Sequence, residues 1–241
     1  MKIKRTIFAV IAILIASGLQ AETVEVKVEK PGTLSELIGN QNKYKVSELK
    51  ISGALNGSDL RFLRDMAGCN YLEQPTSGKL LKVNLSDVTF AKGGDFYIRK
   101  GTEGDFYPTS SHTIPKFLFR GCNIEQVVLP NRTDTIATGA FELSKLRSIA
   151  LPNHVTLGSW VFNQDSLLKE IKFPAYIREI GQNCFLNCNA LKNITINNIS
   201  YIPWNCFSNM PNLETCTISG DLLHVDGNPF HNCPRLRQAM C

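Results

Sequence analysis

A chain of 241 residues with 43% hydrophobic and 20% charged residues carries enough apolar material for one packed domain, which excludes an intrinsically disordered chain. The formal charge of +5 includes Lys2, Lys4 and Arg5 at the extreme N-terminus, so the remainder is close to neutral. That balance gives no electrostatic case for nucleic acid or acidic lipid as a partner.

The opening segment reads as an export leader. Its basic start is followed by an apolar run from Ile7 to Ile15 and by Ser17-Gly18-Leu19-Gln20-Ala21, which ends in a small residue suited to cleavage. The run is shorter than the roughly 20 residues a bilayer-spanning helix needs. We therefore assign 1–21 as a signal peptide cleaved near Ala21. The product is expected to be secreted or extracytoplasmic, in the periplasm or at the cell surface, with no membrane span.

Residues 22–79 are expected to form an N-terminal cap with a helix and a first strand. Thr33 to Ile38 (TLSELI) begins with a Thr/Ser-type helix start and carries Glu36 at capping-box spacing. Val46 to Ile51 fits a strand loosely, and Leu80 to Leu85 fits better. Residues 80–118 read as an irregular first repeat with a long insertion, in which GDFY occurs twice, at Gly94–Tyr97 and Gly104–Tyr107. Copies flanking Arg99-Lys100-Gly101 predict a hairpin or paired loop carrying Phe96, Tyr97, Phe106 and Tyr107. With Arg99, these are candidate ligand-binding residues, because recognition concentrates on aromatic loops held by rigid scaffolds. The plain alternative is that the aromatics cover the edge of the core.

From 119 to 241 the chain repeats itself. Units beginning at Phe119, Phe141, Phe162, Phe185, Phe207 and Phe230 step by 22, 21, 23, 22 and 23 residues. Each runs Phe, a small or Cys-like residue, then Leu-x-x-Ile-x-Leu, often with Pro after it. Ile149 and Leu151, Ile171 and Phe173, and Ile194 and Ile196 alternate with period two, the mark of a short strand with one buried side. One strand per unit cannot bury itself, whereas stacked units pair in parallel around a continuous apolar column. The phenylalanines are expected to form a second column on the opposite wall, with turns or short helical pieces between.

The unit F-x-x-C-x-x-L-x-x-I-x-L-P, as in Phe185 to Ile196, resembles the BspA-like class of leucine-rich repeats in secreted and surface proteins of gut and oral anaerobes. The run from Gly32 to Gly68 resembles the cap that precedes such arrays. The resemblance implies an α/β repeat fold, a right-handed leucine-rich-repeat solenoid with one parallel β-sheet face, and it implies adhesion. Two departures stand out: the units at Phe119 and Phe141 lack one residue between Phe and Leu, and the sequence stops at Cys241 within a unit.

Catalytic and metal chemistry find little support. Cys184 with Cys188, His231 with Cys233, and Cys206 invite a zinc reading. However, Cys122, Cys188 and Cys233 fill one slot of the repeat, Cys184 and Cys206 both precede a phenylalanine, and Cys216 replaces a strand isoleucine. Cysteine at such places packs as a small hydrophobe, with a disulfide between Cys184 and Cys206 as the alternative. Cys69 and Cys241 lie outside that argument. His112, His154, His224 and His231 show no triad spacing, and Asp95, Asp105, Glu170 and Glu179 are scattered. We expect no enzyme, no metal and no cofactor. Trp160 and Trp204 flank the phenylalanine column as core or edge fillers. Asp134-Thr135-Ile136 and Asp165-Ser166-Leu167 resemble O-glycosylation sites of such bacteria.

Residues between the inward ones must point out of the sheet and line up from unit to unit. One column reads Asn84, Val128, Ala150, Lys172, Thr195, Thr217, and its neighbour Lys82, Gln126, Ser148, Glu170, Asn193, Thr215. From these, Lys172, Glu170, Asn193, Thr195 and Thr217 join the hairpin aromatics as candidate binding residues, against plain solvation of a polar face. The expected function is an exported, non-catalytic binding or adhesion protein for a host or bacterial surface protein or a glycan. The alternative is an envelope assembly protein that self-associates through the C-terminal coil.

Overall fold

The computed structural model describes residues 23–100 and 103–240; the leader lies outside the described residues. The cap comprises β1 (Thr23–Val28), α1 (Leu34–Ile38), β2 (Glu48–Leu55), α2 (Gly57–Met66) and β3 (Lys82–Phe90). A hairpin of β4 (Ile98–Lys100) and β5 (Gly104–Phe106) follows. The repeats then alternate two kinds of strand: β6 (Thr113–Ile114), β7 (Gln126–Val128), β8 (Thr135–Ile136), β9 (Ser148–Ala150), β10 (Val155–Leu157), β11 (Glu170–Lys172), β12 (Ile177–Ile180), β13 (Asn193–Asn197), β14 (Tyr201–Ile202), β15 (Thr215–Ser219), β16 (His224–Val225) and β17 (Gln238–Met240). β1, β2, β3, β7, β9 and β11 pair in that order as a six-stranded parallel sheet, and β13, β15 and β17 form a second. β6, β8, β10 and β12, then β14 and β16, make a second wall. That wall was expected to be turns or short helical pieces; most of its strands are only two or three residues long.

The third wall is the phenylalanine column. Phe119, Phe141, Phe162, Phe185, Phe207 and Phe230 stack with centroids 5.3 to 5.8 Å apart and planes within 17° of parallel. A backbone ladder accompanies them, in which each phenylalanine N–H reaches the next coil: Phe119 to Ala140, Phe141 to Val161, Phe162 to Cys184, Phe185 to Cys206 and Phe207 to Pro229. The tight turns around each ring need left-handed residues two before and two after it. The first set is Phe117, Gly139, Trp160, Asn183 and Asn205, and the second Gly121, Leu143, Gln164, Asn187, Asn209 and Asn232. Asparagine and glycine recur there because they enter that region at least cost.

Both strand walls break at one place, between β11 and β13 and between β12 and β14, while the phenylalanine ladder runs through. At the break Phe173 takes the slot filled by Leu129, Leu151, Ile196 and Ile218 in other coils. Its ring stands half-buried, edge-on to Phe185 at 5.8 Å, and Ile171 is half-buried as well. A ring that is too large for an aliphatic slot splays the strands beside it.

Two buried groups tie the cap together. Asp59 completes a capping box with Asn56 on α2 and also accepts the N–H groups of Gly32 and Leu34, at 2.6 and 2.9 Å. It thereby does for α1 what Thr33 does not: the Thr33 hydroxyl turns back to the Lys30 carbonyl. Arg64, fully buried on α2, donates to the carbonyls of Phe117, Leu118, Asn70 and Arg120 and to Cys69 Sγ, joining the cap to the first regular coil. The Cys122 thiol donates to Cys69 and, with Arg64 nearby, holds the Cys69 thiol down to about 6.

The seven described cysteines are free, Cys184 and Cys206 included, and all but Cys233 are buried. The slot of Cys122, Cys188 and Cys233 also holds Ser144, Met210 and Asp165. Asp165 is fully buried, accepts the Ser144 N–H at 2.7 Å through Oδ1, and leaves Oδ2 without a partner. Burial pushes its carboxyl well above the usual range. The folded state therefore holds its proton more tightly than the unfolded chain. Its stabilising contribution is complete below the unfolded value, about 3.9, and is lost as pH rises through the folded value. Asp165→Asn, which has no carboxyl to titrate, should flatten that decline, as read by thermal melts across a pH series.

Candidate functional site

The structure separates the sequence candidates into two groups on different sides of the core. Glu170 and Lys172 stand exposed on the last strand of the six-stranded sheet, where they pair at 3.7 Å. Asn193, Thr195 and Thr217 lie beyond the break on the three-stranded sheet, where the Thr215 hydroxyl reaches Asn193 Oδ1 at 2.7 Å. The hairpin is held elsewhere, against α2 and the loop after it. Gly57 N–H reaches Gly93 O, Asp95 N–H reaches Ser58 Oγ, and Arg99 N–H reaches Tyr71 O.

The duplicated GDFY does form a hairpin, with Ile98 opposite Phe106 and Lys100 opposite Gly104. Each of its two copies turns one aromatic toward the core and leaves the other nearer the surface. Tyr97 is fully buried and donates its hydroxyl to Lys116 O at 2.6 Å, with burial pushing its phenol far up. Phe106 packs half-buried on the core, edge-on to Phe117 at 5.2 Å. Tyr97 is thus a core residue, which corrects its candidacy as a contact. Phe96 and Tyr107 remain at the surface edge-to-face at 6.3 Å, Tyr107 being 46% exposed. The guanidinium of Arg61 lies 3.5 Å from the Tyr71 ring centroid, and that of Arg99 lies 4.7 Å from the centroid of Phe96 while forking onto Asp105 at 2.7 and 3.2 Å.

The outward face of the six-stranded sheet is the larger feature. A shallow concavity of about 520 Å³ runs across it, lined among others by Lys50, Asn84, Gln126, Val128, Ala150 and Lys172. Within this sheet the register follows the expected columns, Lys82 opposite Gln126, Asn84 opposite Val128, Ser148 opposite Glu170 and Ala150 opposite Lys172, but they do not continue in register to Asn193 and Thr195 across the break. Ion pairs close the N-terminal end, Lys50 with Glu25 at 2.7 Å and Lys82 with Glu48 at 2.6 Å; Glu25 raises the Lys50 amine. Along the rim Arg147 forks onto Glu125 at 2.8 and 3.1 Å and lowers its carboxyl. Between these charges the floor is neutral and small, with Val128 exposed at its centre. Glu25, Glu48 and Lys50 escaped the sequence reading because the cap strands follow the repeat template only loosely.

A family model for the BspA type leucine-rich repeat region matches residues 112–237 in six copies, just over half of the 241 residues. The chain belongs to this BspA-type family. Among solved structures, it is similar to a leucine-rich repeat protein from Bacteroides ovatus ATCC 8483, at 14% identity and a TM-score of 0.39, over 98% of this chain and 70% of that one. A leucine rich cell surface protein from Faecalibacterium prausnitzii A2-165 is similar at 13% identity and a TM-score of 0.35, over 94% and 67%. No curated protein matches the sequence. The matched span covers the regular BspA-type coils and leaves the cap and hairpin outside it. Among the described residues no group of three or more His, Cys, Asp or Glu is placed to hold a metal ion, and no helix is long and apolar enough to cross a membrane.

Tyr97→Ala should therefore lower stability by about 3–5 kcal/mol, the range for emptying a buried aromatic site. Tyr107→Ala should stay within about 0.5 kcal/mol of the parent. Chemical denaturation of both variants distinguishes the core residue from the surface one.

Proposed function

We propose that this protein is an exported, non-catalytic binding scaffold that takes a protein ligand across the outward face of the six-stranded sheet. The observation that carries the reading is the concavity itself. It is a rigid parallel sheet whose outward residues are small and neutral at the centre and charged at both ends. A protein segment laid across it meets Asn84, Gln126 and Ser148 as hydrogen-bonding groups, Val128 and Ala150 as apolar floor, and Lys50, Lys82, Glu170 and Lys172 as charges that set orientation. The solenoid supplies an extended surface without a deep polar pocket, which suits recognition of a macromolecule better than chemistry on a small one. The basic and apolar leader of residues 1–21 supports export. Of the sequence candidates, Glu170 and Lys172 belong to this face; Phe96, Arg99 and Tyr107 form a separate surface.

Ala150→Arg places a long cation on the exposed floor without touching the core. In surface plasmon resonance against immobilised extracellular-matrix glycoproteins, the parent should bind at least one saturably. The variant should bind it at least tenfold more weakly with an unchanged melting temperature. Equal binding by parent and variant would move the ligand off this face, and silence of the parent across the panel would overturn the reading.

A further inference from the structure

The chain contains two tryptophans, and both stand at the corner between the second strand wall and the phenylalanine turns. Sequence position suggested fillers of the core edge, yet Trp160 is 42% and Trp204 53% exposed. Trp160 has a φ of 57°, at the position where neighbouring coils place Gly139, Asn183 and Asn205. A bulky aromatic holds that left-handed conformation at a backbone cost, and here much of its ring remains in solvent instead of being buried. The Trp160 N–H reaches Gln182 O at 3.0 Å and the Asn183 N–H reaches Trp204 O at 3.2 Å. The two tryptophans therefore flank one intervening coil, roughly 10 Å apart at two strand spacings.

The surroundings of Trp204 are polar and fixed. Its ring lies over Gly227, where a Cβ would come within 2.2 Å of Cζ3, so only a bare backbone fits beneath it. The neighbouring Asp226 carboxylate accepts the Tyr201 hydroxyl and sits 2.9 Å from His224 Nε2. Tyr201 and His224 stack at 5.7 Å with planes 6° apart. Asp226 thus locks two more rings beside Trp204, and its hydrogen bond to Tyr201 holds its own carboxyl low. In the intervening coil the matching turn carries the amides Gln182 and Asn183, with Glu179 exposed on the strand before it.

We propose that this corner binds a neutral, linear polysaccharide, independently of any ligand on the strand face. A pyranose ring has an apolar face of C–H bonds and a rim of hydroxyls. Exposed indole rings stack on the first, and side-chain amides with a carboxylate hydrogen-bond to the second. The two tryptophans sit on either side of a coil whose matching turn carries amides, an alternation suited to a sugar chain; a protein interface would instead bury a continuous apolar core. The charges near the corner, Asp226 with Arg178 and Glu179 exposed on β12 of the intervening coil, are mixed in sign and favour no charged sugar.

All tryptophan fluorescence of the chain arises from this corner, so emission reads the site directly. Titration with soluble mixed-linkage β-glucan, arabinoxylan, galactomannan and dextran should produce, with at least one of them, a saturable emission change and protection from acrylamide quenching. Affinity electrophoresis should then show retardation lost in Trp160→Ala/Trp204→Ala and largely kept in Trp160→Phe/Trp204→Phe and in Ala150→Arg. Melting curves of the alanine pair confirm that it remains folded, and the phenylalanine pair answers the question if it does not. Unchanged emission with all four polysaccharides, or retardation that survives in the folded alanine pair, overturns the proposal.

Discussion

The stack of six phenylalanines, with the hydrogen-bond ladder that runs beside it, is the constraint on which the rest of the solenoid depends. Phe141, Phe162, Phe185 and Phe207 are each buried between rings of the same size at the same height, supplied by the coils before and after. The spacing tolerates coils of 21 to 23 residues because the extra residues are absorbed between strands and never between the ring and its flanking turns. Those turns are where the chain is least free. Two left-handed residues bracket each ring, and the asparagines that crowd this part of the sequence are there for their backbones.

This explains how two strand walls can part at one coil without the solenoid coming apart. Phe173 crowds a slot built for leucine, the ladders on either side of it open, and the phenylalanine wall carries the array across the gap. The outward surface is divided at the same place. The six-stranded sheet with its charged ends lies on one side of the break, and Asn193, Thr195 and Thr217 lie on the other.

The N-terminal elements are held together by a different means. Asp59 satisfies donors from α2, from α1 and from the turn between β1 and α1, so one buried carboxylate fixes two helix starts. Arg64 meets backbone carbonyls of the first coil with no carboxylate among its hydrogen-bond partners. Such a group is costly to bury alone, and it is held by many hydrogen bonds to fixed main chain. The hairpin packs on this cap, which is why each copy of GDFY turns one aromatic inward, Tyr97 and Phe106, and leaves the other, Phe96 and Tyr107, nearer the surface.

The sequence by itself determined the repeat, its period, the inward residues of the strands, the packing role of the cysteines and the outward columns within each sheet. Each of these follows from a local pattern repeated six times, so a single unit states it and the others confirm it. Only the tertiary structure decided the burial of Tyr97, the split beside Phe173, the exposure of Trp160 and Trp204, and the partition of the candidate residues among separate faces. Those features depend on what the adjacent coil or the cap places against a side chain. No spacing within one unit encodes that, because the neighbour lies more than twenty residues away in the chain and a few ångströms away in space.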